Sequence, residues 1–510
     1  MSKKIKKLLL ILVFVPGIYT TISCQNTEKQ YQPTWESLIQ HEVPGWLQDA
    51  KFGIYAHWGL YSIPAFGREY YGRDLYNKDN QNNIYQHHLE IYGGPEKFGN
   101  KDFIPLFKAE KFNPDEWADI IKKSGAKYAG IAVVHHDGFG LWDSDVNKWN
   151  VGKMGPKRDI YGELVKSFRN QDLKIIATFH HLRSFNWYLP RNKKHLEEAR
   201  QNGWDLFDPQ YADFYWNEYT STFYEFMKAW RAKVFEVTEK YQPDILWFDG
   251  GKFRENSSEN DVTSFLSYYY NKSLEWGKDV EVLNKLPTSR KFNFPREFGM
   301  LTFEGGRDRP EFVDRPWIDD EKIGISSWGY IEGLEYREVN HLIDGLVDRV
   351  SRNGGLLLSL SPKGNGEIPQ EQKDILLAIG KWLNVNGEAI YGTRPWKIQA
   401  EGSFEKLKGD SDSRGHLKWR YENCTSEDIR FTTKSNILYA IALDWSKNNK
   451  ITIKSLGTNT GNNIPNINFI SMLGSQTTLT WTRNETGLTI ELPDLKPCEH
   501  AFVFKIEMKN

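Results

Sequence analysis

Short apolar runs alternate with helix-like segments from about residue 50 to about residue 390. Most of the runs are apolar at successive positions, which is typical of parallel strands that are covered on both faces. The segments between many of them are amphipathic, and one at residues 113–126 has Pro114 near its start and Gly125 near its end. The runs are FGIYAHW (52–58), YAGIAVV (128–134), KIIATFH (174–180), ILWFDG (245–250), VEVLNKL (280–286), GMLTFEGG (299–306), ISSWGY (325–330) and GGLLLSLSP (354–362).

This order of elements predicts an α/β fold, a TIM-like (β/α)8 barrel over residues 45–392. The helical pattern is weak between the fifth, sixth and seventh runs, so we expect the barrel to be irregular there. The alternative is an open, doubly wound sheet. It is disfavoured because no glycine-rich nucleotide-binding motif follows the first run.

The pattern changes after residue 395, where short strands separated by turn residues replace the alternation of strands and helices. Runs such as ILYAIALDW, KITIKSL and AFVFKIE predict an all-β sandwich over residues 396–510. This domain contains Cys424 and Cys498, which would be able to form a disulfide in an oxidising compartment. Two cysteines do not make a disulfide framework, so the sequence leaves their pairing open.

The first 24 residues have the layout of an export signal. A lysine-rich start precedes a short apolar stretch and the sequence Ile22-Ser23-Cys24. We interpret residues 1–24 as a bacterial lipoprotein signal peptide with Cys24 as the lipidated residue, and residues 25–44 as a polar linker. The protein is then exported to the periplasm or the cell surface, where this lipid is its membrane attachment. A plain signal peptide or a short anchor are the alternatives.

Composition adds only a little to this picture. The 510 residues carry a formal net charge of −1, so nothing indicates a nucleic acid or an anionic membrane as a partner. Aromatic residues make up 14%, with 19 Trp and 25 Tyr. Flat aromatic rings stack well on sugars but also fill large cores, so the aromatic content favours a carbohydrate substrate only weakly.

Polar residues follow the apolar part of several predicted barrel strands. In TIM barrels the catalytic groups lie at the carboxyl ends of the strands, so these residues predict a catalytic mouth. The residues are His57 and Trp58 on the first strand, His135, His136 and Asp137 on the second, His180 and His181 on the third, Asp249 on the fourth, Glu304 on the sixth and Trp328 on the seventh.

Two carboxylates stand out among these residues. Asp249 lies between Trp247-Phe248 and a glycine pair, which suits a glycosidase nucleophile in an aromatic-walled site, although an aspartate there can also cap the next helix. Glu304 is our choice for the acid/base, since it also ends a strand and precedes two glycines. Its competitors are Glu297, Asp319, Asp320 and Glu321.

The histidines also permit a metal site, built from His135, His136 and Asp137 with His57 or His180. Successive residues of a strand point to opposite faces, so His135 and His136 converge only if the strand breaks at its tip. Gly138 and Gly140 favour such a break. We therefore interpret the histidines as sugar-binding groups, predict neither a metal nor another cofactor, and regard Asp137 as a loop residue.

Several motifs in order along the chain resemble glycoside hydrolase family 29, the α-L-fucosidases. The most specific are HHDGF (135–139) and WFDG (247–250), beside the blocks FGIYAHWG, SSWGY and RNGGLLLSLSPKGNGEIP. The resemblance covers roughly residues 45–390 and implies a retaining double displacement with Asp249 as nucleophile. It also implies a fucose pocket formed by His57, His135, His136 and Trp328, with Glu69 near the sugar, and a β-sandwich after the barrel.

The chain departs from this family in the segment PWIDDEKIG, where Ile318 occupies a position that is usually polar. Some relatives have an acid/base there, so its absence favours Glu304, whose FEGGR resembles the FERG of other members. The sequence thus predicts an exo-α-L-fucosidase that removes terminal fucose from glycans. The alternatives are a glycosidase for α-galactose-configured or marine polysaccharide fragments, and a carbohydrate-binding protein that has lost catalysis.

Overall fold

The computed structural model describes residues 30–80, 82–249, 259–285, 294–306, 314–402, 408–411, 417–419, 421–459 and 464–509. The predicted signal peptide with Cys24, residues 25–29 of the predicted linker, and the glycine pair after Asp249 lie outside these ranges. Export and lipidation therefore stay predictions. In the part of the chain that is described, no helix combines the length and the apolarity that crossing a bilayer requires.

The first part of the chain forms a closed barrel of eight parallel strands. The barrel confirms the predicted TIM-like fold, and seven of the eight predicted strands coincide with observed ones. The strands are β1 (Phe52–Ala56), β2 (Tyr128–Val134), β3 (Lys174–Phe179), β4 (Ile245–Phe248), β5 (Glu281–Lys285), β6 (Met300–Glu304), β7 (Trp317–Lys322) and β8 (Gly354–Leu360).

The predicted seventh strand is wrong. Residues 325–330 form a loop, and β7 is instead the acidic segment Trp317–Lys322. Three consecutive acidic residues make this strand look like an exposed segment in the sequence, yet each of them is buried and has a hydrogen-bond or ion-pair partner. Asp320 points into the barrel and accepts a hydrogen bond from the Tyr55 hydroxyl at 2.8 Å, whereas Asp319 and Glu321 point outward. Arg349 lies 2.6 Å from Asp319 and 3.4 Å from Glu321, so the charges that hide the strand are neutralised by a helix packed on its outer face.

Helices cover the outside of the barrel. Helix α5 shows how local sequence sets a boundary, since the Asn113 side chain accepts hydrogen bonds from two backbone amides of the first turn and Pro114 follows it. The α-helices are α1 (Trp35–Leu38), α2 (Gly45–Ala50), α3 (Tyr71–Asp74), α4 (Ile84–Ile91), α5 (Pro114–Lys123), α6 (Ile160–Asn170), α7 (Lys193–Gln201), α8 (Ala212–Tyr215), α9 (Phe223–Tyr241), α10 (Glu259–Glu275), α11 (Val339–Ser351) and α12 (Gln370–Asn386).

The barrel is irregular where the sequence predicts it to be. In the described residues between β5 and β7 (294–299, 305–306 and 314–316) no helix is present. Phe294 and Phe298 fill part of this gap and contact Trp35 with ring centroids 6.0 and 5.5 Å apart. Residues 30–44, predicted as linker, therefore pack against the barrel. Their aromatic side chains pack against apolar residues in the stretch between β5 and β7 that has no helix.

The C-terminal part forms antiparallel sheets, as predicted for residues 396–510. Strand order is β15-β18-β13-β12-β9 in the larger sheet and β14-β17-β16 in the smaller one, beside a β10-β11 pair. Both cysteines of this region are free thiols. The strands are β9 (Arg394–Glu401), β10 (Lys408–Ser411), β11 (Leu417–Trp419), β12 (Ile429–Lys434), β13 (Ile437–Ala442), β14 (Lys450–Ile453), β15 (Ile467–Met472), β16 (Trp481–Asn484), β17 (Gly487–Glu491) and β18 (Phe502–Met508).

The sandwich is attached to the barrel through helices α11 and α12. Arg430 of β12 donates to Asp348 of α11 at 2.5 Å, and both side chains are at most 1% exposed. Trp382 of α12 donates its indole N–H to the Ala501 carbonyl at 2.9 Å. A buried ion pair and a buried indole at one interface indicate that the sandwich braces the barrel.

We expect the substitution Arg430→Met to lower the stability of the protein by about 3 kcal/mol, because Asp348 stays buried after losing its closest cation. Differential scanning calorimetry measures this loss as a lower Tm. Lys454→Met is the matched control, since Lys454 is 72% exposed and lies 3.9 Å from Glu427. Equal Tm values for the two variants would contradict a bracing role for the Arg430–Asp348 pair.

Candidate active site

Alternation along the barrel strands brings the candidate residues together. Side chains two positions apart on a strand point to the same face, so a residue that follows an inward-pointing core residue by two also points inward. Tyr55, Trp247 and Leu283 belong to one apolar cluster inside the barrel. Two positions after each of them come His57, Asp249 and Lys285. Strands β3, β6 and β7 extend this layer with His180, Glu304 and Asp320.

A lysine ammonium connects the two predicted catalytic carboxylates. Nζ of Lys285 contacts Oδ1 of Asp249 and lies 2.6 Å from Oε2 of Glu304. Asp249 and Glu304 are each 16% exposed as side chains, whereas Lys285 is 11% exposed. The structure therefore brings the predicted nucleophile and the predicted acid/base to one point, at the carboxyl ends of β4 and β6.

The Lys285 ammonium also sets the charge state of Asp249. Burial acts to raise the pKa of Asp249, but the cation of Lys285 and the nearby His180 outweigh it and hold that pKa below its ordinary value. Burial acts to lower the pKa of Lys285, yet Asp249 and Glu304 raise it above its ordinary value. Asp249 is therefore a carboxylate at neutral pH and Lys285 is its counter-ion.

Asp320 is a third carboxyl group next to this pair. It lies opposite Glu304 in the β6–β7 register and is 2% exposed. Burial raises the pKa of Asp320 well above its ordinary value, with a further contribution from Glu304 against the lowering effect of Lys285. The other predicted competitors of Glu304 lie elsewhere: Glu297 is exposed, and Asp319 and Glu321 face the arginines outside the barrel.

Four imidazoles form one wall of the site. The His57 ring centroid lies 5.6 Å from that of His135 and 5.1 Å from that of His180, and the His135 and His136 centroids are 4.5 Å apart. Strand β2 ends at Val134, directly before the histidine pair. Gly138 has a φ of +78°, where glycine is favoured, so the chain turns there. This break in the strand lets His135 and His136 converge, as predicted.

These histidines are neutral hydrogen-bonding groups. Burial lowers the pKa of His57, His135 and His136 well below the ordinary value, and it lowers that of His180 to about 4. His136 donates from Nδ1 to the His180 carbonyl at 2.5 Å. Its Nε2 atom is then an acceptor, which is the form that receives a hydrogen bond from a sugar hydroxyl.

Glu69 and Trp328 meet although they lie on different loops. The backbone N–H of Trp328 donates to Oε2 of Glu69 at 3.2 Å, and the Ser327 hydroxyl donates to the same oxygen at 3.3 Å. The Trp328 ring centroid lies 5.2 Å from that of His57. The predicted site residues thus form one continuous surface, even though Trp328 comes from the loop after β7 and not from a strand.

Lys285, His180 and Asp320 complete the site. The sequence interpretation gave Lys285 no role, named His180 only as a residue of the catalytic mouth and a possible metal ligand, and named Asp320 only as a competitor of Glu304. Each follows an inward-pointing residue of its strand by two positions: Leu283, Thr178 and Ile318. The alternation of side chains along the strands therefore predicts that all three point inward. For Asp320 this could not be seen from the sequence, because the seventh strand was predicted at residues 325–330. In the described ranges, no group of three or more His, Cys, Asp or Glu side chains is arranged to hold a metal ion.

Comparison with known proteins agrees with this geometry. A sequence model described as Alpha-L-fucosidase matches residues 18–388, and another described as Alpha-L-fucosidase C-terminal domain matches residues 422–507. The chain belongs to the α-L-fucosidase family. It is therefore a glycoside hydrolase, and its barrel and its C-terminal sheets are the two matched parts of this family.

Individual relatives of the family support the same assignment over nearly the whole chain. The alpha-L-fucosidase of Branchiostoma floridae is 31% identical over 94% of this chain and 96% of its own length. The human tissue alpha-L-fucosidase is 31% identical, with coverage of 98% and 96%. The solved structure of the Thermotoga maritima alpha-fucosidase in complex with fucose superposes with a TM-score of 0.70 at 30% identity, covering 93% of this chain and 100% of that one.

The contact between Lys285 and the carboxylates predicts a pH effect. In Lys285→Met, Asp249 keeps the burial and the repulsion that raise its pKa but loses the cation that lowers it, so its pKa rises. We expect the acidic limb of kcat/KM for an aryl α-L-fucoside to move to higher pH by about one unit or more.

Lys278→Met is the control for this experiment. Lys278 lies just before β5, at the opposite end of the barrel, with Nζ 3.6 Å from Asp244. We expect its pH profile to match that of the unaltered protein. An acidic limb that stays in place in Lys285→Met would show that Lys285 does not control the ionisation of the catalytic groups.

Proposed function

We propose that this protein is a retaining exo-α-L-fucosidase, which removes terminal fucose from fucosylated oligosaccharides or polysaccharides by double displacement. The observation that carries this proposal is the pair Asp249 and Glu304 on one lysine ammonium, beside a wall of neutral histidines. Family membership supports the sugar, since the Thermotoga maritima relative was solved in complex with fucose. No step of the proposed reaction needs a cofactor.

The spacing of the two carboxyl groups supports retention of configuration. Oxygens bound to one ammonium lie at most about 6 Å apart, which is twice a hydrogen-bond length. Retaining glycosidases hold their carboxyl groups about 5–5.5 Å apart, whereas inverting enzymes need about 6.5–9.5 Å to fit a water between carboxylate and sugar. Asp249 and Glu304 fit the shorter distance, so Asp249 acts as a nucleophile and not as a base for water.

Asp249 attacks the anomeric carbon in the first step while Glu304 donates its proton to the departing glycosidic oxygen. The glycosidic C–O bond breaks and an ester forms between the fucosyl group and Asp249. In the second step Glu304 removes a proton from water, and the resulting hydroxide displaces Asp249. The Lys285 ammonium keeps Asp249 ionised before attack, and it is close enough to stabilise the Glu304 carboxylate after proton transfer.

Glu304 is preferred over Asp320 as the acid/base because of its access to solvent. The general acid must reach the leaving oxygen, which lies towards the solvent-facing opening at the carboxyl ends of the strands. The Glu304 side chain is 16% exposed. Asp320 is only 2% exposed and accepts a hydrogen bond from the Tyr55 hydroxyl, which lies deeper in the barrel. The raised pKa of Asp320 favours its protonated form, which suits a neutral hydrogen-bonding group that supports Glu304.

The remaining site residues bind the sugar in this proposal. His57, His135 and His136 exchange hydrogen bonds with its hydroxyl groups, and Glu69 accepts from another hydroxyl. The apolar face of Trp328 covers the methyl side of the fucose ring. All five side chains are at most 7% exposed, which favours a closed pocket for one terminal sugar.

The substitution Asp249→Gly tests the nucleophile. We expect kcat for an aryl α-L-fucoside to fall roughly 10³-fold or more, because no ester can form. Added azide fits the space left by the carboxylate, so it should restore turnover and give fucosyl azide of inverted configuration, which NMR identifies. Asp145→Gly, at an exposed aspartate paired with Lys240, is the control and should keep full activity. Azide that neither restores turnover nor yields the inverted product would remove Asp249 from this role.

Comparison of Glu304→Ala with Asp320→Ala tests the acid/base. Without its general acid the enzyme depends on the leaving group, so Glu304→Ala should retain turnover of fucosides with acidic phenols and lose it for poorly acidic ones. We expect the ratio of kcat/KM for the two kinds of substrate to rise about 10²-fold or more in Glu304→Ala. Asp320→Ala should leave this ratio close to that of the unaltered enzyme, and the reverse result would transfer the role to Asp320.

A further inference from the structure

A cluster of arginines borders the sugar pocket on the side of His136. We call Arg68, Arg73 and Arg191 the arginine rim. The rim is separated from His136 by a single layer of aromatic rings, since the centroids of Tyr70 and Trp187 lie 5.5 and 5.7 Å from that of His136. A group attached to the bound sugar on this side therefore meets the rim.

The aromatic layer holds the guanidinium groups in place. The Arg73 guanidinium lies 4.8 Å from the Tyr70 ring centroid and 5.9 Å from that of Trp187. Arg68 lies 5.3 Å from the Tyr70 centroid. Trp187 is only half-buried, so part of its ring is open to solvent while the ring supports Arg73.

The rim has more positive than negative charge. Asp74 pairs with both Arg68 and Arg73, at 2.6 and 2.8 Å, so one carboxylate balances two cations. Arg191 is exposed and forms no ion pair with any residue in the described ranges. Repulsion from Arg73 is the largest cause that lowers the pKa of Arg191 below its ordinary value. An anion placed between the guanidinium groups would relieve this repulsion.

Stabilisation of the fold explains the presence of only some of the rim arginines. Arg68 and Arg73 anchor the buried Asp74 of helix α3, which is a sufficient reason for their presence. That reason does not extend to Arg191, whose side chain is exposed. Arg183, which is not part of the rim, adds positive charge nearer the catalytic residues, where it contributes to lowering the pKa of both His136 and Asp249.

We propose that the arginine rim binds an anionic group of the glycan, a sulfate ester or a carboxylate, carried next to the terminal fucose. Guanidinium groups match the oxygens of both anions with paired hydrogen bonds, and the exposed part of the Trp187 ring supports the sugar that carries the anion. This inference rests on the proposed fucosidase function and adds the substrate class to it. The rim selects acidic fucosylated glycans over neutral ones.

The test compares a sulfated fucosyl oligosaccharide with the same compound after desulfation. We expect kcat/KM at low salt to be roughly fivefold or more higher for the sulfated compound. The preference should fall as NaCl is raised to 0.5 M, on the order of the concentration that screens exposed charges. A second pair, with a uronic acid and its carboxyl-reduced form, shows whether a carboxylate is also accepted, and a preference for either anion supports the proposal.

The variant Arg191→Gln should bring the ratio of the two kcat/KM values close to one. The ratio is independent of the amount of folded enzyme, so misfolding does not imitate this result. Arg200→Gln is the control, since Arg200 is an exposed arginine of the nearby helix α7 that pairs with Glu197 at 3.1 Å, and it should keep the preference. Equal kcat/KM for every acidic and neutral pair, or a preference that survives Arg191→Gln, would overturn the proposal. Turnover of an aryl fucoside tests the fucosidase function separately.

Discussion

The inside of this barrel must change from an apolar layer to a polar and charged layer within two residues along most of its strands. The apolar layer includes Tyr55, Trp247 and Leu283, and the next inward positions carry His57, Asp249 and Lys285. Burying several carboxyl groups at this level is costly unless they are paired. One ammonium, that of Lys285, contacts both Asp249 and Glu304, and burial raises the pKa of Asp320 beside them. The geometry of the candidate site therefore depends on a lysine that keeps two carboxyl groups together.

Strand β7 has buried acidic residues on both of its faces, and each face needs partners for them. Its inward residue Asp320 joins the site, while Asp319 and Glu321 face outward and are neutralised by arginines, including Arg349 of helix α11. That helix also carries Asp348, which binds Arg430 of the sandwich. A single helix thus compensates the charge of a barrel strand and fixes the C-terminal domain, which links the position of Asp320 to the packing between the two domains.

Most of the fold could be predicted from the sequence, because seven strands are apolar runs of the expected length. The seventh could not, since its acids are buried only after distant arginines reach them. The convergence of Asp249, Glu304 and the histidine pair was predictable from their places at strand ends. Lys285 was missed because its importance lies in a contact between β4, β5 and β6 that no single segment reveals. The contact of Glu69 with Trp328 joins two loops and was implied only by resemblance to the family.

In the proposed function, the pocket and the arginine rim recognise different parts of a substrate by different interactions. The buried histidines have low pKa values and are neutral, so hydrogen bonds and shape select the terminal sugar, and salt has little effect on them. The rim is partly exposed and charged, so its contribution is sensitive to salt and acts on whatever is attached to that sugar. Trp187 and Tyr70 separate the two regions by one layer of rings. Substitutions in the rim can therefore change which glycans are preferred without altering the sugar pocket itself.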